Sequence, residues 1–155
     1  MVGSPNYVFF IYDGDNSDKL PGSAVAPPGS AQIERTFEQF FESRDLPYKG
    51  TAFSGRSDYG PFIAENIPSG GLFTGAEGIK TAQEAAIWGG AAGQAYDPCY
   101  HQACDTYSNN NAVALDNNSD AIAYAVLSYG MSTELINGTK SKGNFKPPVA
   151  AVPVG

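Results

Sequence analysis

Histidine, cysteine and basic residues are scarce in this chain. Its 155 residues include one histidine, two cysteines, and nine lysines and arginines against 16 acidic residues, so the net charge is -7. Phosphate backbones are bound by basic surfaces, and this composition therefore argues against a nucleic-acid partner. A single histidine also excludes a catalytic zinc site built from histidines of this chain alone, because such a site takes three protein ligands.

Long hydrophobic runs and familiar catalytic motifs are missing too. No apolar stretch approaches the ~20 residues that a membrane-spanning helix needs, so no membrane partner is expected. The sequence has no H-E-x-x-H, no G-x-S-x-G, no P-loop lysine and no Rossmann glycine pattern. The length fits one domain with a buried core, and 18 glycines with 11 prolines indicate many turns.

Apolar periodicity predicts an α/β domain in which short strands alternate with helices. The run YVFFIY predicts a buried strand, and Ile33, Phe37, Phe40 and Phe41 share one face of a predicted helix. The expected strands are residues 7–12, 48–53 and 69–73, and the expected long helices are residues 33–44 and 118–130.

The sequence also predicts a short helix, a loop and a tail. A short helix is expected after an N-cap at Ser57 or Asp58, with Pro61 in its first turn. Residues 13–30 are expected to form a loop, and residues 131–155 a mobile tail. In the last long helix, the inward-facing residues should be Ile122, Ala125, Val126 and Tyr129.

The densest chemical cluster is the hexapeptide from Cys99 to Cys104, which contains Tyr100 and His101. Its spacing leaves three interpretations open. The thiols form a small disulfide loop that presents His101, or they bind zinc together with His101, or His101 is an ordinary polar residue beside a structural disulfide. Three zinc ligands within six residues leave little freedom for tetrahedral geometry.

Two other patterns concern metal binding and glycosylation. Asp116 and Asp120 are four residues apart, so their carboxylates share one helix face. They either complement a helix N-terminus or bind calcium. Asn117-Asn118-Ser119 and Asn137-Gly138-Thr139 are glycosylation sequons, which predict modification at Asn117 and Asn137. Together with the two nearby cysteines, the sequons indicate a secreted protein.

Three ordered segments resemble the second half of the M28-type zinc aminopeptidases, the secreted bacterial and fungal leucine-preferring kind. They are Gly55–Phe62 (GRSDYGPF), Pro68–Glu77 (PSGGLFTGAE) and Trp88–Asp97 (WGGAAGQAYD), the last of which leads into the Cys-Tyr-His cluster. The opening residues, MVGSPN, also resemble the stretch after a metal-binding aspartate in those enzymes. The resemblance runs from Met1 to about Tyr129, with an insertion at about residues 17–30.

The resemblance implies a fold and a set of site residues. The fold would be part of a three-layer αβα sandwich of the zinc-exopeptidase type, formed by residues 1–130. His101 would ligate one of two zinc ions, and Tyr100 would hydrogen-bond the oxyanion of the tetrahedral intermediate. Cys99 and Cys104 would form a disulfide, and Asp116 and Asp120 would belong to a calcium site. The pocket for the first residue of the substrate would include Met1, Gly55, Arg56 and Phe73.

The resemblance also implies that the other zinc ligands and the general-base glutamate precede the position of Met1. The expected partners are therefore a peptide substrate with a bulky apolar first residue, such as leucine, and the N-terminal half of the peptidase domain. The isolated 155 residues are expected to be inactive. The alternatives are a secreted binding module without catalysis and a truncated product of an aminopeptidase gene.

Overall fold

The structure is a computed structural model, and it describes residues 1–136. The sequon at Asn137 and residues 137–155 of the predicted tail lie outside the described residues. The chain alternates short strands with helices, which confirms the predicted α/β class. The elements are β1 (Phe10–Tyr12), α1 (Ser30–Ser43), β2 (Lys49–Thr51), α2 (Tyr59–Ala64), β3 (Leu72–Phe73), α3 (Ala82–Trp88) and α4 (Ala112–Met131), with a 3₁₀ turn at Tyr107–Asn109 before α4.

The sheet has β1 at its centre and the order β2-β1-β3. β1 runs parallel to β2, with Ile11 opposite Gly50, and antiparallel to β3, with Ile11 opposite Leu72. Successive side chains of a strand point to opposite faces, so alternate residues of this segment contact different neighbours. Phe9 and Ile11 pack against helices, whereas Phe10 and Tyr12 join aromatic residues on the other face.

The helical face of the sheet holds the main core. Phe37, Phe40 and Phe41 of α1 pack with Phe9 and Ile11, as the helical periodicity predicts, and Ala114, Ala121 and Ala125 of α4 close the cluster. The small side chains of α4 allow the two helices to approach closely. Helices α1 and α4 thus cover one face of the sheet, and the complete three-layer sandwich stays a prediction.

The last helix differs from its prediction in two ways. It begins at Ala112 rather than near Asn118, because the Asn111 side chain caps it by accepting a hydrogen bond from the Ala114 N–H at 3.1 Å. Ala125 is buried and Tyr129 is half-buried, but Ile122 is 40% exposed and Val126 is 67% exposed. The inward prediction was therefore wrong for Ile122 and Val126. Helix α4 carries apolar side chains on its exposed side as well as on the side that packs against α1.

Helix α3 was not predicted, although its sequence contains a recognisable start. Thr81 and Glu84 form a capping box, in which Thr81 Oγ1 accepts the Glu84 N–H and the Glu84 carboxylate accepts the Thr81 N–H. A threonine followed three residues later by a glutamate is a typical sign of a helix start. The helix ends at Gly89, which has a φ of 71°.

Candidate active site

A cavity of about 250 Å³ opens on the aromatic face of the sheet. It brings together five of the residues singled out in the sequence: Met1, Arg56, Phe73, Tyr100 and His101. Gly55 does not line the cavity but lies between two residues that do, Ser54 and Arg56. The other lining residues are Tyr12, Thr51, Ala52, Ser57, Leu72 and Ala76.

The floor of the cavity is aromatic because β1 and β3 present Tyr12 and Phe73 on this face. The Tyr12 ring lies 5.0 Å from that of Phe53 and 4.9 Å from that of Tyr59, which comes from α2. Burial raises the pKa of Tyr12 to about 12, with a further contribution from Tyr59, so its hydroxyl stays protonated at neutral pH. The floor therefore suits an apolar side chain.

The first wall follows β2 and carries Arg56. The turn at Gly55 has a φ of 81°, a conformation that favours glycine, and the Gly55 N–H donates to the Tyr59 hydroxyl at 2.9 Å. This bond ties the turn to the start of α2. Asp58 is the N-cap residue of α2, as expected, although its side chain makes no capping hydrogen bond.

The second wall consists of the N-terminal segment and the loop after β3. The Thr74 N–H donates to the Met1 carbonyl at 3.1 Å, and the Ser4 hydroxyl donates to the Gly75 carbonyl at 2.7 Å. Ser4 and Thr74 are also joined by their hydroxyls, 2.9 Å apart, and both are buried. These bonds fix Met1 beside Phe73.

The third wall is the disulfide loop, in which Cys99 and Cys104 are bonded as expected. Asp97, which is 4% exposed, anchors the loop by accepting the Cys99 N–H and the Asn109 side-chain amide, each at 2.9 Å. His101 is exposed and has a φ of 56°, and its ring stacks on that of Tyr100 with centroids 3.8 Å apart. The loop thus presents both side chains to the cavity.

The loop is fastened to the sheet through Tyr96. Tyr96 and Asp97 donate backbone N–H groups to the carbonyls of Gly78 and Ala76, each at 2.8 Å. The Tyr96 hydroxyl donates to the Glu84 carboxylate at 2.7 Å, and Lys49 Nζ donates to the same carboxylate at 2.8 Å. Burial of Glu84 would raise its pKa, but the hydrogen bonds from Lys49, Thr81 and Tyr96 prevail and lower that pKa to about 2.

An ion pair links two walls at the mouth of the cavity. Arg56 Nη2 lies 2.6 Å from Glu77 Oε1. The bond to Glu77 is the main reason that the pKa of Arg56 is raised. A hydrogen bond from its own backbone N–H, followed by Arg56, lowers the pKa of Glu77. Arg56 and Glu77 therefore join the loop after β2 to the loop after β3 at the mouth of the cavity.

A zinc ion would find one suitable ligand among the residues that surround this cavity. The His101 imidazole is exposed and is of the type that zinc prefers, but zinc sites in proteins take three or four such ligands. In residues 1–136, one group of three candidate metal ligands lies within 4.8 Å, and it consists of Asp13, Asp15 and Glu34 rather than His101. Asp13 and Glu34 already accept backbone N–H groups of the loop after β1. His101 fits zinc as one ligand of a site completed from elsewhere.

The remaining predicted site residues lie away from the cavity, on α4. Asp120 pairs with Arg44 at 3.0 Å, and Arg44 also lies over the Phe40 ring. Asp116 is exposed inside the helix rather than at its start. The Asn117 amide donates to the Val113 carbonyl at 2.9 Å. Calcium binding at the two aspartates and glycosylation of Asn117 stay predictions.

Sequence reasoning missed Glu77, Glu84 and Asp97, which hold the walls of the cavity together. The capping box could have identified Glu84, since Glu84 is at its third helical position. Asp97 precedes a proline and accepts the Cys99 N–H two residues on, and this Asx turn could have been predicted from the Asp-Pro pair. The partner of Glu77, Arg56, is distant in sequence, and no local pattern indicates it.

Comparison with known proteins identifies the family. Residues 1–126 match Peptidase family M28. The chain is 50% identical over 132 residues to leucine aminopeptidase 2 of Trichophyton rubrum, and 54% identical over 129 residues to a probable leucine aminopeptidase 2 of Aspergillus oryzae. It is also 50% identical over 138 residues to an aminopeptidase of Pseudomonas aeruginosa.

These matches cover 83–88% of this chain but only 25–26% of each relative. The chain therefore spans about a quarter of the length of the relatives that it matches. None of the helices in residues 1–136 is both long and apolar enough to cross a membrane. Because the family match extends over most of the chain, this protein belongs to peptidase family M28.

Proposed function

We propose that this chain contributes the substrate pocket, a catalytic tyrosine and one zinc ligand to an aminopeptidase that releases bulky apolar N-terminal residues such as leucine. The observation that carries the proposal is the cavity in which Met1, Arg56, Phe73, Tyr100 and His101 meet. The names of the relatives support the reaction, since they include leucine aminopeptidases. The disulfide and the two sequons support a secreted location.

Tyr12, Leu72, Phe73 and Ala76 receive the first side chain of the peptide. Such a pocket favours an apolar group because its burial removes ~25 cal/mol of unfavourable hydration for each Å² of apolar surface. The main chain of the substrate then lies at the mouth, between Arg56 and the disulfide loop. This arrangement directs the scissile carbonyl toward Tyr100 and His101.

Tyr100 stabilises the oxyanion that develops on the scissile carbonyl. Tyr100 lines the same cavity as Arg56, and its ring stacks on that of His101. Its hydroxyl is a hydrogen-bond donor, and in this proposal it donates to the substrate oxygen. A donor held in place before the reaction costs no reorganisation when charge develops.

His101 would hold one zinc ion, and the disulfide loop restricts the motion of this ligand. When bound, zinc polarises the carbonyl and activates a water molecule. The remaining ligands and the general base belong, by the resemblance, to the N-terminal half of the domain. In this proposal Asp116 and Asp120 bind calcium on α4, outside the cavity.

The N-terminal half of an M28 domain is the partner that we propose for this chain. The exposed side chains of α4 support this, because Ile122 (40%), Val126 (67%) and Leu127 (60%) remain accessible. A helix that is apolar on several faces belongs inside a larger fold. The relatives are about four times as long as the region that they share with this chain, which leaves enough polypeptide to cover the helix.

The experiment combines this chain with the region of the Aspergillus oryzae relative that precedes the matched part, and follows leucinamide hydrolysis. Tyr100→Phe should lower kcat by ~10²- to 10³-fold with a small change in KM, because it removes a donor used in the transition state. Tyr107→Phe is the matched control, since Tyr107 is 93% exposed. Equal rates for the two variants would contradict the role of Tyr100.

A further inference from the structure

We propose that Glu77 determines specificity in this pocket by neutralising Arg56, so that the pocket rejects acidic N-terminal residues and keeps its preference for apolar ones. The inference rests on the proposed function, because it concerns the same pocket. Glu77 is not part of the cavity lining and acts through its contact with Arg56.

The first observation is the charge of the cavity. Its lining combines apolar groups with the hydroxyls of Thr51, Ser54 and Ser57, and none of the lining residues is an aspartate or glutamate. Arg56 is the one lysine or arginine in this lining. An unopposed guanidinium at the edge of an apolar pocket would bind a carboxylate, because its fork of N–H donors matches two carboxylate oxygens.

The second observation is the position of Glu77. It follows Ala76, which lines the cavity, and its carboxylate contacts Arg56 at 2.6 Å. The side chains of Arg56 and Glu77 are 60% and 53% exposed, so the pair lies where an incoming ligand can reach it. An ion pair this exposed contributes little to folding stability, so replacing Glu77 should leave the fold intact.

These observations make Glu77 a repulsive element of recognition. The side chain of an N-terminal aspartate or glutamate must displace the Glu77 carboxylate from Arg56, and the two negative charges repel each other. An apolar side chain enters the floor of the pocket without disturbing the pair. Specific sites often combine an attractive feature with one that excludes the wrong ligand, and here the apolar floor and Glu77 have these two roles.

The test measures binding of two probes, L-leucinamide and L-glutamic acid α-amide, to the 155-residue chain by NMR titration. Wild-type protein should bind leucinamide more tightly. Glu77→Gln should tighten binding of the glutamate amide by ~3- to 5-fold, the size expected for an exposed ion pair, and change leucinamide binding by less than about twofold. This gain should shrink when NaCl rises from about 0.05 M to about 0.5 M.

Two further variants separate this effect from a general change in charge. Glu134→Gln makes the same change in net charge at an exposed position beyond α4, and it should leave the preference unaltered. Arg56→Gln combined with Glu77→Gln should lose the gain for the glutamate amide. An unchanged preference in Glu77→Gln, or a gain that persists in the double variant, would overturn the inference while leaving the proposed function intact. If neither amide shifts the pocket residues of the wild-type chain, the inference fails, whereas the proposed function is decided separately by leucinamide hydrolysis in the complex.

Discussion

Gly75 and Gly93 both have a left-handed backbone, but their surroundings differ. Gly75 has a φ of 94°, and a Cβ placed there would lie 2.2 Å from Cγ of the Tyr96 ring. Gly93 has a φ of 77° and no atom within 4 Å of such a Cβ. The close approach at Gly75 is what lets Tyr96 fasten the disulfide loop to the loop after β3.

Gly75→Ala should therefore destabilise the protein much more than Gly93→Ala. At Gly93 the cost is the left-handed conformation alone, roughly 1–2 kcal/mol. At Gly75 overpacking against Tyr96 adds about 1–3 kcal/mol. Urea unfolding of the two variants measures the difference. Equal losses of stability would show that Tyr96 does not pack against Gly75 as described.

The residues of the site could be predicted only where they stand in a long motif that resembles those of the family. Arg56, Phe73, Tyr100 and His101 stand in such motifs, and the structure brings them to one cavity. Glu77 stands in one as well, but its role depends on Arg56, which reaches it from another loop. Exposed charges of this kind look the same in sequence whether they form a solvated surface or the edge of a pocket.

At the scale of elements, α3 contributes its first turn to the site. Glu84 belongs to the capping box of this helix and is 3% exposed. Its carboxylate also accepts hydrogen bonds from Lys49 of β2 and from the Tyr96 hydroxyl. Its hydrogen bonds lower its pKa from the ordinary glutamate value of 4.5 to about 2. Because the folded pKa lies below the unfolded one, ionised Glu84 stabilises the fold above about pH 5.

This stabilisation should be lost as the pH falls from about 4.5 to about 2, the interval between the two pKa values. The measurement is the free energy of unfolding in urea at several values of pH. Tyr96→Phe should reduce the acid-dependent loss, because it removes one of the hydrogen bonds that lower the pKa of Glu84. A wild-type stability that stays flat over this interval would contradict the account.

The two long helices show why some elements are easier to predict than others. Helix α1 buries Phe37, Phe40 and Phe41 on one face, so its periodicity and its packing agree. Helix α4 has Ala114, Ala121 and Ala125 inside, whereas the larger Ile122 and Val126 stay exposed. The predicted inward face of α4 was right for Ala125 and Tyr129 but wrong for Ile122 and Val126, because close packing against α1 selects alanines.

At the scale of the whole molecule, the α/β class follows from alternating apolar runs and helical periods. The strand order does not, since β3 pairs antiparallel with β1 through contacts between residues about 60 positions apart. The cavity also depends on this order, because it places the loops after β2 and β3 on either side of β1. Local sequence patterns carry no information about which strands lie next to each other in the sheet.

The central claim is that His101 is a zinc ligand of a composite aminopeptidase site. It is tested most directly by the zinc content of the purified complex between this chain and the preceding region of the Aspergillus oryzae relative. His101→Ala should lower the bound zinc by about one ion per complex and abolish leucinamide hydrolysis, while Tyr107→Phe should change neither. A complex that keeps its zinc and its activity without the His101 imidazole would contradict the account.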